Sequence, residues 1–201
     1  RGLRERTAIL PDAAAQFSQE FQMSLNVCDL EFSYGQSAPV LSGIDLTFPP
    51  RSRSAIIGAN GCGKSTLLRL LAGILKPQKG SVELYGKLLT SYKHRDLAKH
   101  IAFMKQTPEI PFGFTVEELV FCGRFPHNNS SAERNRKVVK AALADSGAAA
   151  FSSRRLNTLS GGEIQKAFLA LALAQETEIL LLDEPASALD PAAEIELFSL
   201  L

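Results

Sequence analysis

The chain has 201 residues, of which 45% are apolar and 21% charged, and its 22 lysines and arginines nearly balance its 21 acidic residues. This is the composition of an ordinary globular domain. A net charge of +1, no basic run and no Trp give no signal for nucleic acid. The longest apolar run, Ala167 to Ala174, is far shorter than the roughly 20 residues of a membrane-spanning helix.

The first 22 residues show no clear strand or helix period, and Met23 opens the first regular segment. This pattern has two explanations. Either the natural chain starts at Met23 and the preceding residues are an upstream extension, or residues 1–22 are an ordinary disordered tail. We expect residues 1–22 to be a disordered extension without a site. This stretch lacks the apolar core of a secretory signal. The three cysteines form no CxxC pair, which is typical of reduced thiols and predicts a cytosolic compartment.

Short strand patterns then alternate with helix patterns, which predicts an α/β protein. Residues 25–34 alternate imperfectly around Asp29 and residues 44–48 alternate cleanly, so both are predicted as strands of a partly exposed antiparallel region. Ser54–Ile57 is predicted as a short buried strand that runs into a cluster of glycines. Lys64–Ile74 follows as a helix with a leucine-rich apolar side.

The second half of the chain predicts a strand at His100–Met104, a helical insert at about 107–170 and a buried strand at Glu178–Leu182. Asp190 followed by proline predicts the start of a last helix. Two S/T-x-x-E capping boxes mark helix starts in the insert, Thr115 with Glu118 and Ser130 with Glu133.

The glycine cluster matches the phosphate-binding pattern G-x-x-x-x-G-K-[ST], and it lies between a predicted strand and a predicted helix, as that pattern requires. Glycines let successive backbone N–H groups converge on phosphate oxygens, and the helix dipole adds positive potential. Lys64 supplies a full charge to the β and γ phosphates, and the Ser65 hydroxyl is a hard ligand for Mg²⁺. The residues predicted to bind a nucleoside triphosphate here are Gly58, Asn60, Gly61, Cys62, Gly63, Lys64, Ser65 and Thr66.

Two carboxylates, Asp183 and Glu184, end the apolar strand that follows the insert. The carboxyl ends of strands are where open α/β sheets place ligand chemistry. Asp183 is therefore a candidate Mg²⁺ ligand, and Glu184 is a candidate base that polarises a water aimed at the γ phosphate. The alternative is an acidic turn that caps a core strand, and the phosphate loop in the same chain favours the catalytic interpretation.

The segment Leu159-Ser160-Gly161-Gly162-Glu163 fits both a capping box and a phosphate-binding helix N-terminus. Together with the phosphate loop, the ILLLDE strand and Ser187-Ala-Leu-Asp190, in this order, it resembles the nucleotide-binding domain of ABC transporters over about residues 25–201. The resemblance implies one ATPase domain over 23–201 that binds ATP and Mg²⁺. Its fold would be that of a P-loop NTPase, with a RecA-like core, an antiparallel β subdomain and a helical subdomain.

The resemblance also implies a homodimer in which ATP lies between two copies of the chain, head to tail. Ser160, Gly161 and Gly162 would contact the γ phosphate of ATP bound on the other copy. Asp190 would be the residue of the family's D-loop that crosses the dimer interface.

Two more roles follow from the resemblance alone. Gln106 would be the glutamine of the Q-loop, which senses the attacking water and binds Mg²⁺ together with Ser65 and Asp183. Tyr34 would be the aromatic side chain that stacks on adenine.

The chain departs from the family pattern in places. Ile164 and Leu171 stand where the family often has arginines, and Ala186 stands where it often has threonine. The family also places a switch histidine on a loop well beyond the catalytic glutamate, whereas all three histidines of this chain precede Glu184. We therefore expect the chain to be truncated at its carboxyl end.

The stretch Thr115–His127, with its GR-aromatic-PH string, resembles the helical insert of ABC importers for iron-siderophore, haem and cobalamin complexes. The resemblance implies an ATP-binding subunit at the cytoplasmic face of the membrane that drives a permease, and indirectly works with a substrate-binding protein. His127 is not expected to bind cargo metal, because this subunit faces the cytosol. The alternatives are a soluble ABC ATPase of repair or ribosome function, and a non-hydrolysing nucleotide-binding module.

Overall fold

The computed structural model describes residues 25–35, 38–106 and 113–200, so the extension expected at 1–22 lies outside the described residues. Backbone contacts divide the chain into two compact units, 1–92 and 93–201. Within the described residues, none of the helices has the length and apolar character needed to cross a bilayer.

The first unit contains a four-stranded antiparallel sheet in the order β2-β1-β3-β4. Its strands are β1 (Leu25–Phe32), β2 (Leu41–Phe48), β3 (Lys79–Leu84) and β4 (Lys87–Leu88), and a 3₁₀ turn follows at Leu89–Ser91. The prediction that the first two strands belong to an antiparallel region is confirmed, since β1 and β2 pair antiparallel. Asp29 has φ 44° where the register shifts, so a bulge explains why the alternation of β1 is imperfect.

The helix after the glycine cluster, α1, runs from Lys64 to Leu71 and ends three residues before the predicted end. Gly73 stops it, with φ 69° and its N–H bonded to the carbonyl of Leu70 at 3.0 Å. The N–H of Ile74 reaches the carbonyl of Arg69 at 2.9 Å. These two bonds form a Schellman motif, which satisfies the last carbonyls of the helix.

The prediction of a buried strand at Ser54–Ile57 is wrong. Residues 52–59 form no strand, and the Ile57 side chain is 92% exposed. A strand this short is stable only when neighbouring strands pair with its backbone groups, and none of the strands in the described part of the chain does so. The segment that leads into the glycine cluster is therefore solvated.

The second unit contains two paired parallel strands and most of the helices. The strands, β5 (Ile101–Met104) and β6 (Ile179–Leu182), each begin one residue after the predicted start. The helices are α2 (His94–Leu97), α3 (Val116–Cys122), α4 (Ala132–Asp145), α5 (Gly161–Ala174) and α6 (Pro191–Leu200). Short 3₁₀ turns lie at Phe125–His127, Ala149–Phe151 and Leu156–Thr158.

The first predicted capping box is confirmed, because Thr115 and Glu118 bond reciprocally at the start of α3. The second, at Ser130, is wrong by one residue, since Ser131 caps α4. The N–H of Ser130 instead donates to the carbonyl of His127 at 2.9 Å and closes the preceding turn. Ser130 therefore belongs to the turn, and Ser131 caps the helix.

The helices α3, α4 and α5 surround one apolar core. Alanines on the inner side of α5 allow close packing, and a Cβ added at Gly123 would lie 2.5 Å from the carbonyl oxygen of Leu171. This core fixes the helix that begins with the Ser-Gly-Gly segment. Its buried members are Val116, Leu119, Val120, Val139, Ala142, Leu143, Ala148, Leu156, Ala167, Ala170 and Ala174.

A buried arginine ties the same three helices together. The Arg124 side chain, at the end of α3, donates from Nη1 to the carbonyl oxygen of Ala174 at 2.7 Å and from Nε to Oδ1 of Asn135 at 3.0 Å. Nη1 also pairs with the Glu176 carboxylate at 2.8 Å. Because a cation at a helix C-terminus complements the dipole, Arg124 stabilises the end of α5 as well as its contact with α4.

Replacing Arg124 by methionine is expected to lower the free energy of unfolding by about 2–3 kcal/mol, because buried partners lose their charge-assisted bonds. Arg134→Met is the matched control, since Arg134 pairs with the same Glu176 but is exposed. A surface pair contributes at most about 1 kcal/mol. Urea denaturation measures both changes, and equal losses in the two variants would contradict the role assigned to Arg124.

Candidate functional site

The glycine cluster ends in a residue that only glycine fits. Gly63 is the N-cap of α1 with φ 99°, and a Cβ there would lie 2.9 Å from Cδ2 of Leu41 and 3.3 Å from the carbonyl oxygen of Val40. As a glycine, Gly63 has no side chain that could cap the first N–H groups of α1. The start of this helix therefore presents backbone donors and the positive end of its dipole, which suits an anion.

Lys64 folds back over the same loop. Its Nζ donates to the carbonyl oxygens of Gly58 at 2.9 Å and Ala59 at 3.0 Å. Neutral carbonyls bind an ammonium less strongly than phosphate oxygens do. The lysine is thus placed at the loop and can exchange these acceptors for the oxygens of a bound phosphate.

Tyr34 is joined to the first helix through its hydroxyl, which lies 3.2 Å from Oγ1 of the buried Thr66. Its ring packs edge to face against Phe32, with centroids 4.9 Å apart, and the residue is 43% exposed. The structure therefore brings together Tyr34 and Thr66, two residues that the sequence predicts to contact a nucleotide, and fixes an aromatic ring that solvent reaches.

In the second unit, the paired strands β5 and β6 bring their carboxyl ends together. The N–H of Asp183 donates to the carbonyl of Met104 at 2.9 Å, and Asp183 is 3% exposed. Beyond these residues, Nε2 of Gln106 donates to Oε2 of Glu184. Two side chains that the sequence predicts as catalytic are therefore in direct contact, beside a buried carboxylate.

The predicted Mg²⁺ ligands are the hydroxyl of Ser65, the amide oxygen of Gln106 and the carboxylate of Asp183. All three are hard oxygen donors of the kind that Mg²⁺ prefers. Within the described ranges, no group of three or more His, Cys, Asp and Glu side chains is arranged to hold a metal by itself. Each residue by itself has the chemistry of a Mg²⁺ ligand, Ser65 in the first unit and Gln106 with Asp183 in the second, and Mg²⁺ commonly takes its remaining ligands from phosphate and water.

The Ser-Gly-Gly segment starts α5 with the capping box that the sequence predicts. The Ser160 hydroxyl accepts from the N–H of Glu163 at 3.3 Å, and the Glu163 carboxylate accepts the N–H of Ser160 at 2.8 Å. Arg154 also donates to Glu163, at 2.7 Å. The Ser160 N–H and hydroxyl, with the Arg154 charge, lower the pKa of Glu163 below its ordinary value. A charged Glu163 therefore orients Ser160.

The same helix start packs against the loop that follows Glu184. A Cβ added at Gly161 would lie 3.5 Å from Cβ of Ala188, and one added at Gly162 would lie 3.2 Å from the Ala188 carbonyl oxygen. At the end of this loop, Oδ1 of Asp190 accepts two N–H groups from the first turn of α6, at 3.0 and 2.9 Å. Asp190 is thus the N-cap of α6, as the sequence predicts.

The GR-aromatic-PH string has a structural position at the other end of α5. His127 Nε2 lies 2.8 Å from the carbonyl oxygen of Gln175, next to the carbonyl that Arg124 binds. Phe125, between them, is 74% exposed. Two basic side chains of the string therefore bind the end of the helix.

Sequence reasoning missed Gln165, on the second turn of α5. This side chain is buried, and its polar atoms bond to the segment from Glu184 to Ala188. A polar residue two positions before Ala167, on the inward side of a helix that is otherwise apolar there, is the signal that could have indicated it.

The glycine loop, the paired strand ends and the Ser-Gly-Gly helix start are features of a known family. The chain belongs to the ABC transporter family, whose sequence model matches residues 41–187. The chain is 41% identical over 181 residues to the iron(3+)-hydroxamate import ATP-binding protein FhuC of Bacillus subtilis, covering 89% of this chain and 67% of that protein. It is 45% identical over 168 residues to the hemin import ATP-binding protein HmuV of Bradyrhizobium diazoefficiens, covering 80% and 62% respectively. The chain therefore spans about two thirds of the length of these relatives.

A solved structure shares the fold. The dimeric structure of MJ0796, a bacterial ABC transporter cassette, superposes with a TM-score of 0.79 at 25% identity, covering 88% of this chain and 80% of that one. The predicted fold class, a P-loop NTPase of α/β type with an antiparallel sheet and a group of helices, is confirmed.

Proposed function

We propose that the chain is the nucleotide-binding domain of an ABC importer subunit, which binds ATP with Mg²⁺ and hydrolyses it. The observation that carries the proposal is the pair of side chains at the carboxyl ends of β5 and β6, where Gln106 bonds to the carboxylate of Glu184. The Gln106 amide orients the Glu184 carboxylate at the end of a strand, which is a suitable arrangement for a base that takes a proton from water.

In the proposed reaction, a water oxygen attacks the γ phosphorus while its proton passes to Glu184. The bond between this phosphorus and the β-γ bridging oxygen breaks, which leaves ADP and inorganic phosphate. Lys64 and the backbone N–H groups at the start of α1 stabilise charge on the phosphate oxygens. Ser65, Gln106 and Asp183 would each offer an oxygen ligand to Mg²⁺, which would supply positive charge to the same oxygens when bound.

In the proposed homodimer, the second copy supplies its signature segment, residues 159–163, which begins the signature helix α5. Ser160 is fixed by Glu163, and Gly161 and Gly162 form the start of the helix. Backbone N–H groups at a helix N-terminus suit a γ phosphate. The likeness to a dimeric cassette supports this arrangement. Tyr34 would stack on adenine, and Asp190 would lie at the interface between the copies.

The proposed cargo is an iron chelate. FhuC and HmuV are named for the import of iron(3+)-hydroxamate and hemin, and the Thr115–His127 stretch resembles that group of importers. The domain would then sit peripherally at the cytoplasmic face of the membrane on its permease, with a substrate-binding protein on the other side. ATP-dependent uptake of labelled ferric chelate by proteoliposomes containing that permease tests this, and uptake unchanged when the subunit is omitted would contradict it.

Nucleotide binding at the glycine loop is testable through Cys62. Its exposed thiol lies 2.7 Å from where a Cβ on Gly58 would be, so an N-ethylmaleimide adduct would fill the loop that binds phosphate. We expect alkylation of Cys62 to block ATP binding and saturating MgATP to slow the alkylation at least tenfold, as followed by peptide mass spectrometry. Cys28, also exposed, is the internal control and should react at the same rate with or without MgATP. Equal rates at Cys62 would contradict the proposal.

A further inference from the structure

Gln165 directs all of its side-chain polar atoms at one segment. Its Nε2 donates to the carbonyl oxygen of Glu184 at 3.2 Å and lies 3.5 Å from Oγ of Ser187. Its Oε1 accepts the N–H of Ala188 at 3.1 Å. The residue is only 6% exposed, so these bonds are shielded from water.

The segment that Gln165 binds starts with an unfavourable backbone conformation. Glu184 has φ 50°, in the left-handed region that a residue with a Cβ seldom adopts. Such a conformation persists only where its surroundings hold it in place. The Glu184 carbonyl receives two bonds here, one from Gln165 and one from the N–H of Ser187 at 3.2 Å.

The two ends of Glu184 are therefore held by two different glutamines. Gln106 bonds to its carboxylate, and Gln165 bonds to its carbonyl. Gln165 also lies on the helix whose first residues are the signature segment. We propose that Gln165 is a positioning residue, which acts through the backbone of Glu184 and couples the signature helix to the catalytic base. This inference rests on the proposed function, because it takes Glu184 as that base.

An amide at this position supplies a donor and an acceptor together, and methionine supplies neither while filling a similar volume. Gln165 also borders a cavity of about 260 Å³ with Pro185 and Leu189, so a methionine has space to adjust. We expect Gln165→Met to fold and to leave the backbone of Glu184 less well placed. Misplacement of a catalytic group by about 1 Å can cost as much as roughly a hundredfold in rate.

Gln175→Met is the matched control. Gln175 follows the same helix and donates through Nε2 to the carbonyl oxygens of Ala98 and Ile101, at 2.5 and 2.9 Å, without touching the segment after Glu184. Both variants remove amide bonds to backbone from one helix. Only Gln165→Met removes bonds to the segment that begins with Glu184.

The experiment measures kcat, KM for ATP and melting temperature in a preparation that hydrolyses ATP. Gln165→Met is expected to lower kcat about tenfold to a hundredfold with KM within about twofold, whereas Gln175→Met keeps kcat and loses only thermal stability. Gln165→Asn, whose amide is one methylene too short, should behave like Gln165→Met and serves if that variant does not fold. Parental kcat in either Gln165 variant, or a fall in kcat that tracks melting temperature equally at both positions, overturns the inference.

Glu184→Gln in the same assay separates the two proposals. If Glu184→Gln hydrolyses ATP at the parental rate, the proposed function fails and takes this inference with it. If Glu184→Gln is inactive while Gln165→Met keeps parental kcat, the proposed function stands and only the positioning role of Gln165 is wrong.

Discussion

Replacement of Glu184 by glutamine is expected to abolish ATP turnover and to leave ATP binding intact. The amide has the size of the carboxylate but cannot accept a proton from the attacking water. General base catalysis contributes about 10²- to 10⁴-fold to the rate, so phosphate release should slow by at least about a hundredfold. Because bound ATP would then persist, the variant should accumulate as the ATP-bound dimer.

Phosphate release, ATP affinity and sedimentation measure these three effects. Glu178→Gln is the matched control. Glu178 stands just before β6, the strand that Glu184 follows, and it is exposed and pairs with His100 at 2.9 Å. Its turnover should equal that of the parent. Parental turnover in Glu184→Gln, or loss of ATP binding with it, would show that Glu184 is not the base.

Replacement of Lys64 by alanine is expected to weaken ATP binding by about tenfold to a hundredfold. A hydrogen bond to a charged group contributes about 1.5–3 kcal/mol, and tenfold in affinity corresponds to about 1.4 kcal/mol. The acceptors that Lys64 uses are the neutral carbonyls of Gly58 and Ala59, so the folded loop should lose little stability on truncation.

Isothermal titration with MgATP measures the affinity, and thermal unfolding without nucleotide measures stability. Lys79→Ala is the control: this lysine pairs with Asp29 and Glu31 on the surface of the same unit. Affinity unchanged in Lys64→Ala would remove the lysine from the phosphate site. A large drop in melting temperature would instead mean that the lysine mainly stabilises the loop.

Local patterns allowed much of this molecule to be predicted from sequence. The capping pairs Thr115 with Glu118 and Ser160 with Glu163 fall where they were expected, because a capping box needs only residues within one turn. The positions of β5 and β6 were also predictable, since both are short apolar runs between helices.

Features that depend on distant neighbours were not predictable. Ser54–Ile57 has the composition of a buried strand, but strand formation requires a partner, and composition does not supply one. The pairing of β3 with β1 and with β4 was not predicted from the sequence either. Gln165 was missed because its importance comes from the segment it touches, which lies about twenty residues further along the chain.

The solvated segment Ser54–Ile57 has a consequence for ligand affinity. The glycine loop is anchored by α1 on its carboxyl side, whereas its amino side leaves a stretch without ladder bonds. A nucleotide that orders this stretch must offset the conformational entropy of about 1–2 kcal/mol per residue that the chain loses. A strand that pairs with Ser54–Ile57 would order this stretch before the nucleotide binds. The nucleotide would then lose less free energy to ordering the chain, and its affinity would be higher. By thermodynamic linkage, bound nucleotide would strengthen that pairing by the same factor.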